Sequence, residues 1–476
     1  MTQHLTPSVL YYASEWIIRL VMLVYVPQRR SPAAARTWLL LIFLLPWPGI
    51  LLYALFGRIY VSRRRLDLQR RASDMIRSAQ AQVPRVAGWE GNGFSERISE
   101  ITQLAYQLSD FKALGGNQVD LIVDYKGMID RLEAEIDGAR RHVHLLYYIF
   151  ADDQMGRRIA QAVVRASKRG VDCRLMMDAV GSRAGLRRLG PTLRAEGVKV
   201  QALLPVGLFR RNAERFDLRN HRKLAVIDAR VGYTGSQNIV SPDFIKGSPN
   251  EELVIRVMGP IVQQLQAAFL ADWFFETGVV TDDPAHFMEA PPVGPSPAQL
   301  LLSGPGYPRE NVQEVMVSLL YAARKQVVIA TPYFVPDEPF LQAIQTAVSR
   351  GVRVDLVLSA RSNQRVTNLA QQSYYEQLLE AGVRIHLYRP GFLHAKHMSV
   401  DGEIGLIGST NIDIRSFALN AELSVLIYDA KIVRDLWDVQ KQYFSQSEVV
   451  SAEIWNARPL PLKIVQNVAR LADSLL

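Results

Sequence analysis

Near the N-terminus, apolar residues run almost unbroken through two stretches. Beyond them, apolar residues recur in short, strand-length blocks separated by amphipathic segments. From Trp38 to Phe56 no side chain is charged, and such a 19-residue run can cross about 30 Å of hydrocarbon as a helix. Pro46, Trp47, Pro48 and Gly49 interrupt it and predict a kink, which membrane helices tolerate better than soluble ones. The earlier run, Ser8 to Val26, carries Glu15 and Arg19 at i and i+4, a pair that meets on one helix face. It reads as a membrane segment, with an interfacial amphipathic helix as the alternative. No Lys or Arg precedes it and the second run follows closely, which argues against a cleaved signal peptide.

Past residue 90 the pattern becomes alternating strands and helices. Val143–Phe150 has the composition and length of a strand, Gly156–Arg169 that of a helix stopped by Gly170, and Val171–Met177 that of the next strand. This βαβ order predicts helices over a largely parallel sheet. The same order returns about 180 residues later. Ala139-Arg140-Arg141-His142-Val143 answers to Ala323-Arg324-Lys325-Gln326-Val327, Arg169-Gly170-Val171 to Arg350-Gly351-Val352, and Gly197-Val198-Lys199 to Gly382-Val383-Arg384. A repeat of that length is a duplicated domain rather than a solenoid. Seven prolines between Pro284 and Pro308 mark an extended linker. The chain therefore divides into a membrane hairpin (1–60, with spans at 8–26 and 38–56), a basic juxtamembrane linker with helices (61–115), a first domain (116–283), a linker (284–300) and a second domain (301–476).

Composition narrows the class. With 476 residues, 49% hydrophobic and 21% charged, the chain is not disordered, collagen-like or a coiled-coil rod. Its single cysteine, Cys173, excludes a disulfide framework and cysteine-based metal sites, and reads as a buried apolar residue. The formal charge is +9, and Arg58, Arg63, Arg64, Arg65, Arg70 and Arg71 against Asp67 supply +5 of it. The remainder is nearly balanced, so a nucleic-acid surface is not indicated. A basic collar just after the second apolar run places the large C-terminal part on the cytoplasmic side and attracts anionic lipid. The loop between the two runs holds only Arg29, Arg30 and Arg36.

The candidate chemistry sits at matching points of the repeat. The first half has His221, Lys223, Asp228 and then Gly235-Ser236-Gln237-Asn238; the second has His394, Lys396, Asp401 and then Gly408-Ser409-Thr410-Asn411, at identical spacing. Downstream, Asn250-Glu251-Glu252-Leu253 resembles Asn420-Ala421-Glu422-Leu423. On a strand, His221 and Lys223 share a face. Imidazole is a nucleophile or proton carrier near neutral pH, and Lys is a positive charge for phosphate oxygens. Ser236, Asn238, Ser409 and Asn411 are candidate donors to a phosphate. If the two copies face each other, one His attacks phosphorus while the other protonates the leaving oxygen, and Glu252 and Glu422 hold the imidazoles in the right tautomer. Asp228 and Asp401 belong to the catalytic motifs but read as their anchors. His4, His142, His144, His286, His386 and His397 read as structural. A metal site is disfavoured, since the neighbouring Lys would repel a cation and neither a His-Glu-x-x-His run nor a dense carboxylate cluster occurs.

The paired motifs resemble the His-Lys-Asp signatures of the phospholipase D superfamily. The similarity extends to its bacterial cardiolipin synthases through Trp38-Leu39-Leu40, Leu44-Leu45-Pro46, Ser303-Gly304-Pro305-Gly306, Thr331-Pro332-Tyr333-Phe334-Val335-Pro336 and Asn411-Ile412-Asp413-Ile414-Arg415-Ser416. The resemblance implies an α/β fold of two tandem α/β/α-sandwich domains related by a pseudo-twofold axis, behind a transmembrane helical hairpin. It implies a multi-pass protein of the bacterial inner membrane. It implies transfer of a phosphatidyl group from one phosphatidylglycerol to another, giving cardiolipin and glycerol, through a phosphohistidine and without a cofactor or metal. The expected partners are phosphatidylglycerol and an anionic bilayer, with no nucleic acid; oligomeric state is not legible. The family suggests the N-terminal His as nucleophile, while the residues alone leave His221 and His394 open. An insert from Leu203 to Arg219, with Phe209-Arg210-Arg211, is a candidate shaper of lipid access. Competing readings are a membrane-bound phospholipase D with water as acceptor, a phosphatidylserine synthase, a phosphodiester nuclease and a non-catalytic scaffold. The apolar hairpin argues against the nuclease, and two intact motifs argue against the scaffold.

Overall fold

A computed structural model describes residues 7–30, 32–57, 62–82, 94–206, 217–243, 247–281, 286, 290–307 and 310–471. His4, Arg58, Phe209-Arg210-Arg211 with most of the insert around them, Pro284 and Pro308 lie outside the described residues. The chain forms two compact units, Met1–Val61 and Ser62–Leu476.

The first unit holds three helices, α1 (Pro7–Tyr25), α2 (Pro32–Leu44) and α3 (Pro46–Phe56). Glu15 and Arg19 meet at 3.3 Å, as their spacing predicts. The Trp38–Phe56 run is two helices rather than one kinked helix. Leu45 leaves the helical region (φ −133°, ψ 79°) because the following proline ring crowds it, and Pro46, lacking an N–H, opens α3. Of the three, α1 has the length and composition to cross a membrane, while α2 and α3, at 13 and 11 residues, are each too short to do so alone. Ile18, Met22, Val26, Ala35, Ile42 and Tyr53 form a small core. Gly49 permits it, because a Cβ there would lie 2.8 Å from the Ile42 Cα. Trp16, Ile17, Leu20, Val24, Leu40, Leu44 and Leu51 face outward, an apolar surface larger than water favours.

The second unit is built on one 16-stranded sheet shared by both repeats. In the first repeat the order is Lys199–Leu203, Asp172–Asp178, His142–Tyr147, Lys223–Ile227, Val231–Gly235, Val254–Met258, Leu114–Ile122. The second runs Arg384–Tyr388, Arg353–Ser359, Gln326–Thr331, His397–Val400, Ile404–Gly408, Asn420–Ile427, Ser296–Ser303, in the same order. The repeats join where Leu114–Ile122 pairs antiparallel with Ser296–Ser303, the relation a pseudo-twofold axis requires. This central strand starts at Ser296, inside the stretch read as linker. The sheet is mixed rather than largely parallel. Along the strand order, the pairs joined by helical crossovers are parallel and the remaining neighbours are antiparallel; of these, Lys223–Ile227 with Val231–Gly235 and His397–Val400 with Ile404–Gly408 are joined directly by tight turns.

Helices Ile261–Thr277 and Ala430–Ser445 cover one face of the sheet, and their core takes side chains from both repeats, including Phe269, Leu300, Val425, Leu436 and Tyr443. On the other face each repeat has its own core. The basic segment after the first unit is itself a helix, Arg63–Gln82, whose Arg65 pairs with Glu276 at 2.9 Å. At least one arginine of the expected lipid collar is thus spent within the protein.

Asp228 and Asp401 lock the fold. Each sits in the left-handed region (φ 53° and 54°) at the far end of its motif strand. Asp228 accepts the backbone N–H groups of Arg140, Arg141 and His142 at 2.8–2.9 Å. Asp401 accepts those of Arg324, Lys325 and Gln326 at 2.7–2.9 Å, and also binds Arg97. These bonds and Arg97 hold the Asp401 carboxyl below its ordinary value against the opposing effect of burial. Asp401→Ala strands three donors, and chemical denaturation should show a loss of about 2–4 kcal/mol at neutral pH. A depressed native value means this stabilisation is complete above about pH 4 and disappears as the pH falls through it, so the wild-type advantage should shrink in acid.

Candidate active site

His221 and His394 line one cleft of about 310 Å³, with Tyr148, Arg219, Asn238, Asn250, Tyr333, Asn411, Asp413, Arg415 and Asn420 among its walls. Neither His lies on the strand expected to carry it. Lys223 begins its strand, and His221 occupies the irregular approach to it; His394 likewise precedes His397–Val400.

What fixes each approach is the other repeat. Arg219–Asn220 pairs in parallel with Asn420–Ala421, and the His221 N–H donates to the Ala421 carbonyl at 2.8 Å. Phe392–Leu393 pairs in parallel with Asn250–Glu251, and the His394 N–H donates to the Glu251 carbonyl at 2.8 Å. The glutamates follow directly, so each imidazole meets the carboxylate of the opposite repeat. His221 Nδ1 lies 3.0 Å from Glu422, and His394 Nδ1 lies 2.8 Å from Glu252. An ionised carboxylate only accepts, so Nδ1 carries the hydrogen and Nε2 keeps its lone pair.

Electrostatics support these protonation states. Burial pushes both imidazoles below their usual value, against the pull of their glutamates, and takes His394 to about 4. Burial would raise the carboxyls, but His394 holds Glu252 down at about 2, and His221 with Lys223 lowers Glu422.

The lysines lie beneath the histidines rather than on the cleft wall. Lys223 Nζ donates to the His221 carbonyl at 2.5 Å, and Lys396 makes the same bond to His394. Both are about 98–99% buried, and burial lowers them to about 8 and about 7. Two lysines and two glutamates therefore balance one another around two neutral imidazoles.

The serines are not free phosphate donors. Ser409 Oγ donates to Glu422 and accepts the Leu423 N–H; Ser236 Oγ accepts the Leu253 N–H and helps lower Glu252. Both are wholly buried, so they seat the glutamates. The glycine before each serves the same contact. A Cβ at Gly235 would lie 2.3 Å from the Leu253 carbonyl oxygen, and one at Gly408 2.4 Å from that of Leu423. Asn238 and Asn411 do reach the cleft; Asn238 Oδ1 accepts the Ile149 N–H at 3.0 Å. Asp228 and Asp401, grouped by their motifs with the catalytic residues, do not line it: they sit at the opposite end of their strands and brace backbone there.

Several cleft residues escape the motif pattern. Tyr148 packs edge-on to His221 at 4.7 Å. Arg219 is anchored by Asp178 at 3.2 Å, and Arg415 by the Asp217 carbonyl at 2.7 Å. The available signals were that Asp178 ends a parallel strand and that Arg219 adjoins the Asn-His pair. Arg222, the central residue of its His-x-Lys, pairs with buried Asp272 at 2.7 Å and donates to the Glu422 and Ser303 carbonyls. Ala395 in the second repeat has no such reach.

For metal binding, among the described residues His144, Asp172 and His286 bring ligand atoms within 4.8 Å of one another. Asp172 already accepts from Lys199 at 2.7 Å and Arg174 at 2.9 Å, two cations that oppose a metal, and none of the three residues lines the cleft.

The chain's relatives agree with this architecture. The family model described as "Cardiolipin synthase, PLD-like domain" matches twice, over residues 132–273 and 316–444. A second, "Phospholipase_D-nuclease N-terminal", matches residues 16–58. Cardiolipin synthase A of Pectobacterium carotovorum subsp. carotovorum (strain PC1) is 34% identical over 461 residues, 94% of each chain. That of Yersinia pseudotuberculosis serotype O:3 (strain YPIII) is 33% identical over 467 residues, again 94% of each. The crystal structure of phosphatidylserine synthase from Haemophilus influenzae Rd KW20 superposes with a TM-score of 0.60 at 16% identity, covering 80% of this chain and 100% of that one, a likeness of fold. With two matching domain models and relatives alike along nearly their full length, the chain belongs to the bacterial cardiolipin synthase family of the phospholipase D superfamily.

Proposed function

We propose that this chain is a membrane-associated phosphatidyltransferase that makes cardiolipin from two molecules of phosphatidylglycerol and releases glycerol. The observation carrying this reading is the pair of imidazoles in one cleft, each with Nδ1 on a carboxylate and Nε2 available. In the first step Nε2 of one His attacks phosphorus. A P–N bond forms, the P–O bond to glycerol breaks, and the other His, having first taken up a proton on Nε2 to become the imidazolium, gives that oxygen its proton. In the second step the free hydroxyl of another phosphatidylglycerol yields its proton to the second His. Its oxygen attacks phosphorus, the P–N bond breaks and the first His is restored. Glu252 and Glu422 stabilise the imidazolium formed at each stage.

Lys223 and Lys396 contribute positive potential from below the histidines, and Asn238 and Asn411 donate to the phosphoryl oxygens from the wall. Ser236 and Ser409 position the glutamates. The protein carries its own nucleophile and acid, so the chemistry asks for no cofactor. With α1 as anchor and α2–α3 completing a hairpin, the second unit lies on the cytoplasmic side, the side favoured by the arginines that follow.

In mixed micelles of phosphatidylglycerol with EDTA, purified protein should yield cardiolipin and glycerol in equal amounts. Phosphatidic acid with glycerol and no cardiolipin would establish hydrolysis instead. His221→Ala and His394→Ala should each lower the rate by about 10⁴-fold or more. The crossed pairing predicts that Glu252→Gln shifts the titration of His394 rather than His221 by NMR, and that it costs activity by about 100-fold. Because the lysines are lowered, kcat/KM should fall as pH rises through about 7 to 8 and their charge is lost. Because the imidazoles are lowered too, the acid limb should lie below the ordinary imidazole value of about 6.5.

A further inference from the structure

The last described helix, Leu460–Arg470, is mounted with its polar side inward. Gln466 is 1% exposed and donates to Gln372 at 2.9 Å. Lys463 pairs with Glu376 at 3.2 Å, and the Arg470 guanidinium stacks 4.2 Å over the Tyr374 ring. On the outer side, Leu460, Ile464, Val468 and Leu471 follow one another at helical spacing, and Leu471 is 78% exposed. Helical spacing of apolar residues normally marks the face that meets the core. Here the core contact is polar, and the apolar face is left to the surroundings.

The helix beneath it, Arg365–Ser373, belongs to the cleft. Its Thr367, with Asn363 and Gln364 just before it, lines the cleft that holds His221 and His394. Its outer surface adds exposed Val366 and Arg365. The two helices with the loop before each carry Arg361, Arg365, Arg458, Lys463 and Arg470; Glu376 pairs with both Arg458 and Lys463, and Arg361, Arg365 and Arg470 supply the net positive charge. An apolar stripe in a cationic setting, one helix away from a phospholipid cleft, matches an anionic bilayer surface in both hydropathy and charge.

The geometry points to this helix pair as the surface by which the second unit docks on anionic lipid, placing the cleft mouth at the headgroup layer. This rests on the lipid-substrate reading of the cleft. Ile464, Val465, Val468 and Leu471 enter the interface, while the polar side stays on the protein. Lipid then reaches the histidines along the Arg365–Ser373 wall without crossing water.

The test uses the full chain reconstituted in vesicles of phosphatidylglycerol and phosphatidylcholine. A Val468→Cys variant carries a small environment-sensitive fluorophore; the native Cys173 is buried and stays unlabelled. Nitroxide on the lipid acyl chains should quench it at least about fivefold more than the same label at Lys168→Cys, and aqueous iodide should reach it less. Access to iodide with no lipid quenching overturns the proposal. Shielding from both overturns it too, because protein then covers the face. Neither readout involves catalysis, so failure here is distinct from failure of the transferase reading. In a kinetic companion, the double change Ile464→Ser with Val468→Ser should raise KM for vesicle-embedded phosphatidylglycerol about five- to tenfold. For monomeric short-chain lipid, kcat/KM should stay within about twofold. An equal loss on both substrates would show damage to the cleft rather than to docking, and would also overturn it.

Discussion

Each imidazole depends on a carboxylate from the other half of the molecule. His221 rests on Glu422 and His394 on Glu252, so neither repeat alone contains a complete pair. The exchange is enforced by backbone, through short parallel pairings that lay each His segment along the other repeat's Glu segment. Side-chain geometry at the centre of the cleft is therefore set by the register of the sheet. Gly235 and Gly408 are required by the same arrangement, since a methyl group at either would collide with the strand that brings in the glutamate.

That construction explains the burial of so much charge. Two lysines, two glutamates and the Arg222–Asp272 pair sit almost wholly out of water. Burying charge costs several kcal/mol per group unless partners compensate, and here every charge has a partner across the repeat boundary or on the local backbone. The lysines bond the histidine carbonyls, the serines bond the glutamates, and Arg222 ties the first repeat to the Ser303 and Glu422 carbonyls of the second. Polar groups satisfied in this way hold one geometry, and an acid–base pair acting on a single phosphorus atom needs one geometry.

Periodicity made much of the fold legible. The duplication, the crossover helices and the strand blocks follow from apolar spacing, and the strand after His221 begins at Lys223 much as its Leu-Ala-Val-Ile run suggests. The departures have local causes. Pro46 splits an apolar run into two helices because the preceding residue cannot remain helical. Much of the shared sheet is antiparallel: in each repeat the motif strand ends in a tight turn, at Asp228-Ala229 and Asp401-Gly402, that makes the next strand run back beside it. The C-terminal helix carries an apolar stripe at helical spacing but turns it away from the core, because Gln466, Lys463 and Arg470 find partners on the Arg365–Ser373 helix and the chain just after it.

At the site itself, the sequence by itself determined the inventory: two histidines, two lysines, two glutamates and two asparagines, each at fixed spacing in a duplicated frame. Spacing along a chain reports which groups recur together, because equal offsets place them at equal points of equal folds. Tertiary structure decided which carboxylate serves which imidazole, that the lysines lie beneath the histidines, that the serines seat the glutamates, and that Asp228 and Asp401 brace backbone far from the cleft. Those assignments turn on contacts between segments as much as 201 residues apart, as for His221 and Glu422. They exist only once two copies have closed about a shared axis, a relation that no local pattern of residues encodes.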